Sequence, residues 1–479
     1  MLDFLLGNDA LSAIVAFILV LIPAVLIHEL GHFLAAKAVG ITILEFGIGM
    51  PPRMVKLFTW RGTDYTLNWL PLGGFVRPLG EDIVSQKGDD AVAVDRLDAE
   101  QRGFTRTMSV NEAKPMPRIL FFSAGAIANF IMAFILFIVI AMMGVPQVTG
   151  GLVGVLGVEQ ESALATAGLQ SGDVIETING ETFVDSVDLM SRLYSLDGEM
   201  VTLGVRREGV EEPVELTFTP DIGEAQPEAI FHPLIVTVAE GAPADQAGLE
   251  GGDLVVAFNG EPINSIEALQ ETTNAHLDEE VTLTVLRGDE ELDVTLMPRS
   301  TPPAGEGAMG IGINTAARNP DLGVAYHDGA QTVLVPLSFG DAVSYSLNRI
   351  GTVISTIASI PAELIRGTAD PDSLRLTSPL GISQAGAVFL QESIEQNQPA
   401  IILEFMALIS LALGLTNLLP IPALDGGRIL FVLIELVRGR PISPEREGVV
   451  HFVGLALLLS LMVVVLLNDI ANPLTDLLR

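Results

Sequence analysis

The chain of 479 residues contains no cysteine. Disulfides, thiolate catalysis and Cys-ligated zinc or iron–sulfur sites are therefore excluded. Histidine is scarce, with six in all, so any metal must sit on a small set of His, Asp and Glu. Charge is also sparse: 18% of residues are charged against 49% hydrophobic, where a soluble protein carries about 25% charge. An ordinary cytosolic enzyme does not fit, and the apolar content excludes disorder. Basic residues are the scarcest charge, 25 Lys and Arg against 59 Asp and Glu, for a net charge of −34. Without a basic patch to neutralise phosphates, nucleic acid is excluded as a partner. Length alone suggests about three domains.

The acidity is concentrated. Residues 146–400 hold 9 Lys/Arg and 39 Asp/Glu, a net of −30. The remainder is nearly neutral and greasy, so we expect one acidic soluble module held by membrane segments. Four stretches are long and apolar enough to span a bilayer as helices: Leu11 to Val39, Ile119 to Val145, Ile401 to Leu419 and Val449 to Leu467. The first does not read as a cleaved signal peptide, because no basic stretch precedes it and its pattern continues past any cleavage point. Residues 40–118 hold 10 Lys/Arg and residues 428–448 hold 4. The positive-inside rule places both loops in the cytoplasm, with the termini and the acidic block outside. Residues 333–365 are apolar but interrupted by Asp341, Asn348 and Arg349. They read as an amphipathic helix on the outer membrane surface.

The acidic block repeats itself. AGLQSGDVIETING at 167–180 and AGLEGGDLVVAFNG at 247–260 share seven of fourteen positions at an offset of 80, and MVTLGVRR aligns with EVTLTVLR at the same offset. A fixed offset over separate stretches marks duplicated domains. Asn179-Gly180 and Asn259-Gly260 read as tight turns between strands. The pattern resembles PDZ domains, over 152–220 and 233–298. Such folds bind extended peptide at a sheet edge, which is the reading favoured here; spacers that merely occupy volume above the membrane are the competing one.

The sharpest signal is His28-Glu29-Leu30-Gly31-His32 in the first span. Histidines at i and i+4 share a helix face and can hold one zinc. Glu29 beside them is placed to take a proton from the attacking water. Leu11 to His28 is about 25 Å of helix rise, which sets the motif inside the hydrocarbon toward the cytoplasm. Ionisable groups there need partners. Catalytic zinc usually takes three protein ligands, and Asp425 is the candidate third. It follows Pro420 and Pro422 and precedes Gly426 and Gly427, in a helix broken at membrane depth. A Pro/Gly turn carrying a solvated Asp is the competing reading. Asn129 shares a face with Gly125 in the second span. It suits either a donor to a substrate carbonyl or oxyanion or an interhelical hydrogen bond. In the loop at 40–118, Ile43 to Ile48 and Tyr65 to Trp69 read as short strands around a turn at Arg61-Gly62, with PLGG at 71–74 as a breaker. A hairpin beside the zinc would offer an edge to an unwound substrate.

HELGH in the first span, Gly125 to Asn129 in the second, Asn417 to Gly427 (NLLPIPALDGG) in the third and PLGGFV in the loop together resemble the site-2 protease family of intramembrane zinc metalloproteases. A PDZ pair between the second and third spans resembles its bacterial branch that regulates the envelope-stress response. The resemblance implies a polytopic α-helical membrane protein with four transmembrane helices, two inserted α+β PDZ domains and a small membrane-associated β-hairpin. Its segments would be 1–145, the two PDZ spans, an extracytoplasmic amphipathic stretch at 320–400, and 401–479. It implies zinc on His28, His32 and Asp425, Glu29 as catalytic base, and Asn129 and Asn417 at the substrate. Ala126 stands where the family commonly has Pro, and Ser378-Pro379-Leu380-Gly381 resembles a GP-x-G segment with Ser for Gly. The implied activity is cleavage of single-span substrates such as anti-sigma factors, and of remnant signal peptides, in the inner membrane, with the PDZ pair screening substrates by size. Two other classes stay open: a metal-free membrane scaffold docking peptide tails, and an anchored zinc protease acting on soluble proteins.

Overall fold

The computed structural model describes residues 8–80, 88–210, 212–222, 229–288, 290–303, 306–366, 375–440 and 442–474. They form two units, Met1–Val145 with Pro336–Arg479, and Pro146–Val335.

The first unit opens with one helical run: α1 (Asp9–Ala16), a π-helical turn over Phe17–Leu21, and α2 (Ile22–Val39). The run ends at Gly40, whose φ of 85° is the left-handed conformation that closes helices. β1 (Ile43–Trp60) and β2 (Thr63–Pro78) then form an antiparallel pair turning at Arg61-Gly62. Both strands exceed the short runs expected from sequence. β2 folds back, so that Gly47 and Ile48 of β1 pair with Thr66 and Leu67 on one side and with Phe75 and Gly74 on the other. PLGG is thus not a break between elements but the bend within β2. α3 (Gly88–Gln101) leads to α4 (Pro115–Met143), which stops two residues short of the expected Val145 because Gly144 leaves helical geometry.

In the second unit the first copy runs β3 (Val145–Val158), α5 (Ala163–Thr166), β4 (Val174–Ile178), α6 (Ser186–Ser195), β5 (Val201–Arg206) and β6 (Val214–Phe218). The second runs β7 (Ile230–Val238), α7 (Pro243–Gln246), β8 (Leu254–Phe258), β9 (Glu261–Pro262), α8 (Ile266–Ala275), β10 (Val281–Arg287) and β11 (Glu290–Leu296). β12 (Ile311–Asn319) and β13 (Val324–Val335) follow, and the sheet order is β11-β10-β8-β7-β12-β13-β3-β4-β5-β6. The offset of 80 persists in the contacts. Arg207 pairs with Asp173 and donates to the Gly168 carbonyl; Arg287 does the same with Asp253 and Gly248. Asn179 and Asn259, at φ 51° and 50°, accept from the amides of Thr202 and Thr282. Each copy takes a further strand from beyond the span read in sequence. Leu322, Val324 and Tyr326 join the core of Val153, Ile175 and Leu203, while Met309 and Ile311 join that of Ile235, Val255 and Leu283. The second copy is therefore inserted within the first.

The first unit resumes with α9 (Phe339–Arg366), α10 (Pro379–Glu395), α11 (Pro399–Leu418), α12 (Asp425–Arg438) and α13 (Pro444–Ala471). Among the described residues, four helical runs are long and apolar enough to cross a membrane: Ala10–Val39, Pro115–Met143, Pro399–Leu418 and Arg446–Ala471. The protein is a multi-pass membrane protein with inserted β structure. α9 is not one of these runs, nor does its first half lie free on a surface. Leu337 N–H donates to the Ala141 carbonyl, Ser346 Oγ to Phe134 O, and Arg349 pairs with Glu404 at 2.5 Å. Its apolar residues Ile350 and Val353 pack with Phe137 and Leu411 of the bundle. Ser378 caps α10, receiving the Gly381 N–H and donating to buried Asp469 at 2.6 Å. A Cβ at Gly381 would lie 2.5 Å from Asp469, which accounts for the glycine there.

Candidate metal centre

Close approach of two helices builds the centre. A Cβ on Gly31 would stand 2.3 Å from the Ala124 carbonyl oxygen, so α2 meets α4 where only glycine fits. His28 and His32, one turn apart on α2, are both buried. Their Nε2 atoms are 3.1 Å apart and their ring planes cross at 76°. His32 Nδ1 donates to the Phe121 carbonyl of α4 at 2.8 Å. A carbonyl only accepts, so this bond puts the ring hydrogen on Nδ1 and leaves the Nε2 lone pair for a ligand.

Asp425 arrives from across the sequence as the first residue of α12. The run before it is held tightly. Ala423 adopts φ 77°, a left-handed backbone rare for alanine, and its N–H donates to His451 Nδ1 of α13 at 2.8 Å. A Cβ on Gly426 would lie 2.2 Å from Leu419 O, one on Gly427 2.3 Å from Ile421 O, and one on Gly454 of α13 2.4 Å from Pro422. Three glycines thus let the loop fold back on itself and against α13. Asp425 Oδ2 ends 3.1 Å from Nε2 of both histidines.

Two imidazoles and a carboxylate are a donor set that zinc takes in catalytic sites. Three donors around a tetrahedral zinc are about 3.3 Å apart, given Zn–N and Zn–O distances near 2.0–2.1 Å; the 3.1 Å triangle fits. A Cβ on Gly125 would lie 2.4 Å from His32 Nε2 and 2.6 Å from His28 Nε2, so α4 offers bare backbone where an ion needs room. Among the described residues this is the only such cluster of His, Asp and Glu.

Glu29 is half-buried, hydrogen-bonded by the Val76 backbone of β2. A Cβ on neighbouring Gly74 would be 3.6 Å from its Cγ, so the bend of β2 lies against the carboxylate. Asn129 is fully buried, 3.3 Å from His28 Nδ1. Asn417 is half-buried and donates to Leu413 O of its own helix. The structure therefore brings His28, Glu29, His32, Asn129 and Asp425 together, while Asn417 has no hydrogen bond to the cluster. Gly125, Phe121 and His451 were not singled out as site residues. His451 is one of only six histidines and heads the fourth span, which was the available signal.

The model of peptidase family M50 matches residues 16–461. The chain belongs to peptidase family M50. It is similar over nearly its whole length to the zinc metalloprotease RasP of Geobacillus kaustophilus, at 30% identity covering 96% of this chain and 98% of that protein. Protease RseP of Yersinia pestis is 28% identical over 96% and 99%. The regulator of sigma E protease of Haemophilus influenzae is 27% identical over 95% and 97%. As a member of family M50 the protein is a zinc metalloprotease, and zinc is its cofactor.

Proposed function

We propose that this metalloprotease cuts the membrane-spanning segments of single-span proteins, with His28, His32 and Asp425 holding the zinc. The observation that carries the reading is the 3.1 Å donor triangle that Asp425 forms with two histidines borne on a helical run long and apolar enough to span a membrane. A zinc ion held there supplies Lewis acidity, polarising the scissile carbonyl and lowering the pKa of water. Glu29 takes the proton of the attacking water and returns it to the leaving amine.

A spanning substrate has its backbone groups satisfied within its helix, so the scissile region must unwind. Segment 74–77 of β2 has β1 on one side, and no described strand pairs its other side. That free edge, beside Glu29, can take over the released backbone groups. Asn417, at the end of α11 and before the Asp425 loop, is assigned to substrate. The family resemblance implies a substrate role for Asn129 as well, and its neighbour His28 gives it a second role.

The basic loops favour an inner-membrane orientation with the centre toward the cytoplasm and the acidic unit outside. The nested repeats of that unit are read as PDZ domains that screen substrates by size. The family resemblance implies anti-sigma factors as the substrate class, in keeping with the similarity to the regulator of sigma E protease of Haemophilus influenzae, and remnant signal peptides present the same single apolar helix. The test is incubation with a truncated single-span substrate, with and without chelator, comparing the wild type and Glu29→Gln. Cleavage by the wild type alone, abolished by chelator, supports the reading; cleavage by Glu29→Gln would refute the base assignment.

A further inference from the structure

We propose that Asn129 is a positioning residue for the metal ligand His28, its amide oxygen accepting the hydrogen on His28 Nδ1. This rests on the metal centre proposed above, and the experiment is chosen to separate the two.

The argument starts from the donor triangle. His28 turns Nε2 toward Asp425 and His32, so Nε2 is the nitrogen available to an ion. A neutral imidazole that ligates through Nε2 carries its hydrogen on Nδ1. That hydrogen is buried with the ring and needs an acceptor. Among the described residues, the side-chain amide of Asn129 is the one hydrogen-bond partner of His28 Nδ1, at 3.3 Å. As placed, the amide turns Nδ2 toward the ring, and its Oδ1 is buried without a partner. Amide oxygen and nitrogen are assigned from the hydrogen-bond network, not from shape. A ring that ligates through Nε2 demands the other setting, with Oδ1 on Nδ1–H.

His32 provides the parallel within the same site. Its Nδ1 donates to the Phe121 carbonyl, an oxygen that can only accept. The two rings are then oriented alike, one by a backbone carbonyl and one by an amide carbonyl, both from α4. Asn129 is itself held in place. Ser410 Oγ of α11 donates to its backbone carbonyl at 3.0 Å, and a Cβ on Gly414 would lie 3.3 Å from its Cβ. One turn earlier, Gly125 faces the Nε2 atoms. The Gly125–Asn129 face of α4 thus leaves space on the ligating side of His28 and supplies an acceptor behind the ring. Such an acceptor fixes the ring and raises the basicity of the ligating nitrogen.

Zinc affinity of the purified full-length protein, measured by competition with a chromophoric chelator, tests this in the wild type, Asn129→Leu, Asn129→Asp and His28→Ala. Asn129→Leu fills similar volume with no acceptor and is expected to bind zinc about 10- to 100-fold more weakly. Asn129→Asp keeps an acceptor at the same position and is expected to bind at least as tightly as the wild type. Rescue by Asp separates an acceptor from a packing role. The inference is overturned if Asn129→Leu binds like the wild type while cleavage falls, which would assign Asn129 to substrate alone. It is equally overturned if Asn129→Asp is as weak as Asn129→Leu. Retention of stoichiometric zinc by His28→Ala would instead overturn the metal centre itself.

Discussion

Gly125 shows how little material the centre tolerates. A single methyl on it would come within 2.4 Å of His32 Nε2 and 2.6 Å of His28 Nε2. Gly125→Ala is therefore expected to lose most bound zinc while the helices still assemble, which metal analysis alongside circular dichroism would check. Glu29 behaves differently, because it is not one of the three clustered donors. Glu29→Gln is expected to retain zinc and to lose cleavage by about 10²- to 10⁴-fold, the range for removing a general base. The histidine pair and Glu29 were legible because helix periodicity alone sets i and i+4 on one face. Gly125 was legible only as a small residue for packing. A glycine that works by what it lacks leaves no chemical trace, and its place beside the donors depends on how α2 meets α4.

At the scale of elements, the loop before α12 decides whether the carboxylate reaches the histidines. Ala423 is held at φ 77°, and its N–H has His451 as acceptor. A left-handed backbone costs an L-residue about 1–2 kcal/mol, so Ala423→Gly is expected to leave zinc binding intact and to be neutral or stabilising. His451→Leu leaves that N–H unpaired in a tightly packed loop. It is expected to cost about 1–3 kcal/mol and to weaken zinc retention, although His451 is not among the three clustered donors. Thermal unfolding in detergent, with and without chelator, would measure both variants. The Pro and Gly residues announced a broken helix and an Asp presented by it. They did not announce the clamp from α13, because the contact of Gly454 with Pro422 joins a helix residue to a loop residue 32 positions away, outside any helical periodicity. The inward contacts of α9 were hidden for the same reason: its apolar residues Ile350 and Val353 pack with Phe137 and Leu411, and Arg349 pairs with Glu404, 55 residues on.

Over the whole molecule, sequence and structure divide together at residue 146, where the acidic block begins, whereas the second unit ends at Val335 and not at residue 400. Charge and hydropathy carry that division, since both follow from solvent. The nesting of the two copies was hidden, because β12 and β13 fall outside the repeated motif and are known only by the cores they complete. The duplicated ion pairs allow a test of independence. Asp253 is buried against Arg287, as Asp173 is against Arg207. Asp253→Ala removes a charge-assisted pair and is expected to destabilise its copy by about 1.5–3 kcal/mol. Hydrogen exchange should rise in β8 and β10 and stay unchanged in β4 and β5; an equal rise in both copies would show that they unfold as one.

The claim on which the chemistry depends is that a carboxylate almost four hundred residues from the histidines completes their metal site. Zinc content per chain of purified Asp425→Ala, beside the wild type, measures it directly. The wild type should hold one zinc per chain and the variant close to none under the same dialysis. Stoichiometric zinc in Asp425→Ala would contradict the account.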